Sequence, residues 1–230
     1  MIYKETFVNR ILELSNTIAD SIDNIKFSTG KDFEYWKKNP YQLIEGSVLD
    51  IDWKNLLPEP PPNRSEQTKS ELRQVQDAST NRTDSEIKLV YEVDKDPALI
   101  FVPFLQDNSL VYPEEEIGTY WSVLYPIVMN LKWLHNRARP YQLGPKYGME
   151  IDYIRTDTHH TPSYPSGHTS YGHLVALVLS EKYPEYAENF QTFSDQTGEA
   201  RVLQGVHYPL DNAAAVKLTN SIWKEIQYTN

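Results

Sequence analysis

Apolar residues recur along this chain mainly at three- and four-residue spacing, the period of helices that bury one face. Residues 5 to 24 place Phe7, Ile11, Leu14, Ile18 and Ile22 on one stripe and predict an amphipathic helix. A loop-rich stretch follows, through the cluster Pro58 to Pro62. Ser65 to Ala78 has few apolar anchors and predicts a surface helix. Asp84-Ser85 predicts the cap of a helix from Glu86 to about Val93, and Asp96-Pro97 the start of another reaching about Phe104.

The second half carries stronger signals. Pro113 followed by Glu114, Glu115 and Glu116 predicts a helix start, because proline suits the first turn and acids oppose the positive dipole end. That helix should run to about Asn136, kinked at Pro126, and end before Arg139, since the residue preceding a proline avoids helical geometry. Ser166 predicts the cap of a helix from Gly167 to about Lys182, whose middle (Leu174 to Leu179) is apolar on every side and therefore buried. Pro184 opens the next helix, which carries Arg201 near its end and stops at Gly205. Pro209 starts a final helix to about Ile226, with Asp211 in its first turn. An all-α chain with no visible internal repeat is the result.

Composition narrows the classes. At 230 residues the chain is read as one domain, 1–230, with residues 1–62 an N-terminal helix and proline-rich loop and residues 63–230 the core. The net charge of −10 opposes binding to nucleic acid. The longest apolar runs, Leu174 to Leu179 and Tyr120 to Leu134, are too short or too interrupted by polar residues to span a bilayer. With no cysteine, disulfides and thiolate metal sites are excluded, and no HExxH or acidic ligand cluster points to a metal. The amino terminus lacks a secretory pattern, so a soluble cytoplasmic protein is expected, or a periplasmic or secreted one if a leader has been removed.

Against that acidic background the cations gather. Lys132 and Arg139 stand seven apart in KWLHNRARP; Ser166, Gly167 and His168 form PSGH; Arg201, His207 and Asp211 space out RVLQGVHYPLD. A helix beginning at Gly167 offers free N–H groups and a positive dipole end to an anion. Six helical residues would turn His207 about 120° away from Arg201, whereas a reversal at Gly205 can aim both inward. His207 and Asp211 are within reach of a carboxylate–imidazole bond. Arg137 either joins this positive pocket or pairs with an acid, and His159-His160 either line its mouth or belong to no site.

These stretches resemble the three motifs K-x6-R-P, P-S-G-H and S-R-x5-H-x3-D of the type 2 phosphatidic acid phosphatase superfamily, which also holds class A nonspecific acid phosphatases and vanadium haloperoxidases. The run Ser163 to Thr169 (SYPSGHT) and Leu56 to Pro62 (LLPEPPP) are similar to acid-phosphatase signatures, with Pro162 in place of a glycine and Ala200 in place of a serine. The resemblance implies a single-domain helical bundle with its active site at helix ends. It implies hydrolysis of small soluble phosphate monoesters, without metal or cofactor, through a phosphohistidine on His207. Asp211 would orient that ring, and His168 would protonate the leaving alcohol and then activate water. Lys132, Arg139, Ser166, Gly167 and Arg201 would bind the phosphate. The rate should follow a bell-shaped pH profile with an acidic to neutral optimum, because His207 must be neutral and His168 protonated. The alternative is a vanadate-dependent haloperoxidase using the same cage, with vanadate as cofactor. Self-association is open, with no interface legible.

Overall fold

Prolines and small polar residues set where the helices begin. The computed structural model describes residues 21–43 and 52–229. Its helices are α1 (Lys31–Lys38), α2 (Glu66–Thr80), α3 (Asp84–Lys95), α4 (Val102–Asp107), α5 (Glu114–His135), α6 (Pro140–Leu143), α7 (Gly167–Lys182), α8 (Ala187–Leu203) and α9 (Pro209–Thr229). Short 3₁₀ turns stand at Trp53–Asn55, Pro97–Ile100, Gly144–Tyr147 and Pro184–Tyr186. Among the described residues there is no strand, and an isolated antiparallel bridge joins Lys26 to Arg137. The helix expected over 5 to 24 lies outside the described residues except for 21 to 24, of which 21 to 23 are helical and 24 is a turn.

Boundaries differ from the sequence expectation where a neighbouring residue caps better. The cap of α3 is Thr83, whose hydroxyl accepts from the Glu86 N–H while the Glu86 carboxylate accepts from the Thr83 N–H. This reciprocal box satisfies two orphan donors, which Asp84-Ser85 could not do one residue later. Asp96 caps the Pro97–Ile100 turn rather than one continuous helix, and α4 starts afresh. Pro184 likewise opens a 3₁₀ turn, with α8 following at Ala187. Helix α2 is more than a surface element, because its inner face buries Thr68, Glu71, Leu72, Val75 and Ser79.

The helix α7 is the central element. It packs most extensively on α8, and also on α9 and α5. Leu174, Val175, Ala176, Val178 and Leu179 are all at most 2% exposed, against Phe101, Leu124, Ile127, Phe190 and Leu218. Burying each large side chain contributes roughly 1.5–3 kcal/mol. Pro126 sits inside α5 without ending it. Gly205 follows α8 at φ +80°, where a Cβ would fall 2.9 Å from that of Tyr153, so only glycine reverses the chain there without strain. These packings bring the carboxyl ends of α3, α5 and α8 to the amino ends of α7 and α9. No described helix is long and apolar enough to cross a membrane.

Candidate active site

Where those helix ends meet lies a cavity of about 460 Å³. Lys132, Arg139, Gly167, His168, Arg201 and His207 line it, with Trp121, Tyr125, Met129 and Tyr171. Three of these are buried cations: Lys132 from the last turns of α5, Arg139 from the loop after it, and Arg201 from the end of α8. Asn136 ends α5 in a left-handed conformation (φ 47°), which turns the chain so that Arg139 can come back to the same point as Lys132.

The His207 side is built on charge. Its Nδ1 lies 3.1 Å from Asp211 Oδ2, which also accepts the Tyr208 N–H at 3.0 Å. Arg137 donates to Asp211 Oδ1 at 2.7 Å and to Glu71 Oε2 at 3.1 Å, with its guanidinium 3.8 Å from the Tyr208 ring centre. Glu71 in turn accepts the Leu210 N–H. A neutral His207 that donates from Nδ1 keeps a lone pair on Nε2, and Arg139 Nη1 stands 3.2 Å from it. Burial, then the charges of Arg139, Lys132 and Arg201, hold the His207 ring well below the usual histidine range.

The opposite side is built differently. Arg201 Nη1 donates to Asp94 Oδ1 at 2.6 Å and Nη2 to Thr158 Oγ1 at 3.3 Å, while its Nε is buried with no hydrogen-bond partner. Asp94 also accepts from Thr158 and, at 3.1 Å, from Gln204. Burial alone would raise its carboxyl, but these donors and the Arg201 charge bring it down to about 2. The half-buried His168 has its Nε2 3.3 Å from the main-chain carbonyl of Asp94. Burial and the Arg201 charge lower its pKa well below the ordinary value. Lys132 Nζ donates to the carbonyls of Pro162 at 2.8 Å and Ser163 at 3.4 Å. Among the described residues it has no ion pair, and burial, then the charges of Arg139 and Arg201, depress it strongly.

The structure therefore brings seven of the eight predicted site residues into the cavity wall or directly behind it, Asp211 being the one behind. Ser166, the eighth, is fully buried as the α7 cap, its hydroxyl accepting from the Thr169 N–H and meeting Thr169 Oγ1 at 2.8 Å. A Cβ on Gly167 would lie 3.6 Å from Lys132 Cε, an ordinary contact, so packing alone does not demand glycine there. Arg137 does not line the cavity; of its two readings, the acid pairing holds, because Asp211 and Glu71 take it. His159 is buried against Tyr141, Tyr153 and His160, with Nδ1 3.2 Å from Thr156 Oγ1, and does not line the cavity. Among the described residues, no group of three or more His, Cys, Asp or Glu could hold a metal ion. Glu71, Asp94 and Thr158 were not singled out from sequence. The available signal was a carboxylate on a buried helical stripe: Glu71 beside Leu72 and Val75, Asp94 beside Val93 and Val90.

Such an arrangement can hold a small oxyanion between two imidazoles. The chain is similar to known proteins over parts of its length. Residues 119–224 match the model of the PAP2 superfamily. A non-specific acid phosphatase of Salmonella typhimurium is 51% identical over 49 residues, 21% of this chain and 20% of the relative. One from Providencia stuartii is 45% identical over 53 residues, 23% of this chain and 21% of the relative. The matched segments thus span about a fifth of these curated relatives. Among solved structures, a bacterial vanadium-dependent iodoperoxidase superposes with a TM-score of 0.60 at 16% identity, covering 89% of this chain and 60% of the other. A transmembrane PAP2-type phosphatidylglycerolphosphate phosphatase from Bacillus subtilis gives 0.51 at 14% identity, covering 72% and 87%.

Proposed function

We propose, on the match of residues 119–224 to the PAP2 superfamily model, that this chain is a member of that superfamily and a phosphatase acting on phosphate monoesters through a phosphohistidine. One observation carries the reading. Three buried cations and two imidazoles line one cavity, and Arg201 Nε faces burial with no acceptor of its own. A phosphate oxygen would supply that acceptor and relieve the mutual repulsion of Lys132, Arg139 and Arg201.

In the proposed reaction the phosphate takes hydrogen bonds from Lys132, Arg139, Arg201 and the Gly167 N–H. Arg139 thereby leaves His207 Nε2, freeing its lone pair to form the P–N bond as the P–O ester bond breaks. Asp211 keeps the Nδ1–H tautomer and stabilises the positive ring that results. Arg137 and Glu71 fix Asp211 in turn. His168 gives its proton to the departing alkoxide, then takes one from the water whose oxygen attacks phosphorus and releases His207. Each well-placed donor contributes about 3 kcal/mol, and monoester hydrolysis demands accelerations of up to ~10²¹. A dense shell of donors is what such a barrier requires. Ser166 contributes by capping α7 and so aiming the Gly167 N–H and His168.

The chemistry requires no metal in this scheme, which activity retained in a strong chelator would support. The decisive assay is hydrolysis of para-nitrophenyl phosphate by purified protein, beside bromide oxidation with vanadate and peroxide. Hydrolysis inhibited by vanadate supports the proposal. Robust halogenation without hydrolysis would replace it with the vanadate-dependent haloperoxidase reading.

A further inference from the structure

The cavity holds more than an anion cage. On α5, Trp121, Tyr125, Met129 and Lys132 follow one another at four-, four- and three-residue steps, so they share one face of the helix. At 1.5 Å per residue, Tyr125 stands about 10 Å and Trp121 about 16 Å along the axis from Lys132. Tyr171 stands three residues after His168 on α7 and faces the same cavity. Its ring meets Trp121 edge-on at 5.0 Å and 67°, and Trp121 meets Tyr125 at 5.6 Å and 58°. Tyr125 is 40% exposed despite this company, held from behind by Tyr41 at 5.8 Å. The mechanism uses none of these rings.

We propose that this aromatic corner is the leaving-group subsite, and that it selects monoesters whose alcohol carries a flat ring, whether an aryl group or a nucleoside. The inference rests on the reading of the cage as a phosphate site, since the cage fixes where the ester begins. Rings inclined to one another at about 60° offer edges and faces that one flat ring can satisfy together. A flexible alkyl chain gains contact area there but no matching geometry, and it surrenders rotor freedom on binding. Lys95 is exposed at the rim of the same cavity, where it suits a polar group on the far side of such a ring.

The test separates binding from chemistry. Dissociation constants are measured for naphthylmethylphosphonate and octylphosphonate, and kcat/KM for adenosine 5′-monophosphate and glycerol 3-phosphate, whose leaving alcohols are both primary. The full chain should favour the ring-bearing member of each pair by about tenfold. Tyr125→Leu should erase most of that preference and Tyr125→Phe should keep it. Since Tyr125 is substantially exposed, both variants should fold. A preference for the aryl pair alone assigns the ring to an aryl alcohol, and for the nucleotide pair alone to a nucleoside. Octylphosphonate binding as tightly as the naphthyl compound, with glycerol 3-phosphate turned over as well as the nucleotide, overturns the inference, as does a preference unmoved by Tyr125→Leu. If neither ester is hydrolysed while the phosphonate preference holds, the phosphatase reading falls and the ring subsite stands.

Discussion

His207 rests on a carboxylate that is itself gripped from behind, Asp211 by Arg137 and Arg137 by Glu71. His168 rests on the main-chain carbonyl of Asp94, and the carboxylate of that same residue turns instead to Arg201. The two imidazoles face one cavity yet are held by opposite means. In the proposed reaction the His207 ring, which becomes positive while bonded to phosphorus, benefits from a fixed carboxylate. His168, the proposed proton carrier, is held instead by a neutral carbonyl, which fixes its orientation while favouring its protonated form less strongly than a carboxylate would. The supports also differ in what they leave for a ligand. Arg137 is consumed by two acids, whereas Arg201 keeps its Nε unpaired.

Removing each ring is the largest test of this contrast. His207→Ala should lower kcat by about 10⁴-fold or more, with the far-ultraviolet dichroism of the helices unchanged. His168→Ala should cost about 10²–10⁴-fold on an ester with an alkyl leaving group. It should cost much less in the first step for para-nitrophenyl phosphate, whose leaving group needs no proton, and a burst of product should then precede slow hydrolysis of the intermediate. Equal losses on both esters, with no burst, would break the assignment of different roles.

The supports themselves come next. Arg137→Ala leaves Glu71 and Asp211 buried without their cation and should cost about 3–5 kcal/mol of stability. Added phosphate should not restore it, because neither acid faces the cavity. Asp94→Asn leaves Arg201 buried without its carboxylate, and here phosphate can take the place of the missing charge. Thermal melts with and without phosphate should therefore show a larger phosphate-induced rise for Asp94→Asn than for the parent, and for Arg137→Ala no more than the parent's own rise. A larger rise in both variants would mean that the two flanks are not distinct.

Why one flank was readable from sequence and the other less so follows from the same geometry. The sequence-local devices were legible: the Ser166 cap, the Gly205 reversal that aims Arg201 and His207 together, and the four-residue step from His207 to Asp211. Each depends on neighbours within one or two helical turns. Glu71 and Asp94 act across long separations, on Arg137 and on Arg201. Their only local mark is a carboxylate on an otherwise buried stripe, and α2 reads as a surface helix because its polar residues hide that stripe. Arg137 could be narrowed to two roles but not assigned, since the choice depends on Glu71 arriving from a different helix. The capping box at Thr83 was missed for a simpler reason: Thr83, Asp84 and Ser85 are all good caps, and only Glu86 three residues on distinguishes them.

The pH dependence is a subtler probe. Both histidines are held below their ordinary range in the anion-free site, first by burial and then by neighbouring cations. His207 is therefore neutral, as the proposed nucleophile must be, into the acid range. His168 must be protonated to act as acid, so kcat/KM, which reports the free protein, should fall as pH rises from the acid side. A bound phosphate dianion raises the His168 pKa, which moves the corresponding limb of kcat to higher pH. Profiles of kcat/KM and kcat should thus be displaced from one another on their alkaline limbs. Coincident limbs would mean that the cage cations do not act on His168.

The smallest effect isolates Lys132. Among the described residues it is a buried ammonium whose contacts are the carbonyls of Pro162 and Ser163, with no carboxylate in ion-pair range. Burial disfavours its charged form, and Arg139 and Arg201 add repulsion. Such a group destabilises the anion-free fold unless a ligand neutralises it. Lys132→Met keeps the stem length and removes the charge, so without phosphate the variant should melt no lower than the parent, and by about 1 kcal/mol higher if the ammonium is as costly as its surroundings imply. For a chain of this size that is a rise of roughly 2–4 °C. Phosphate should raise the melting temperature of the parent more than that of Lys132→Met, because binding to the folded state alone stabilises it and the variant has lost one of the donors. A variant that melts lower than the parent in phosphate-free buffer, yet responds fully to phosphate, would make Lys132 a structural strut of the Pro162–Ser163 loop and take it out of the cage.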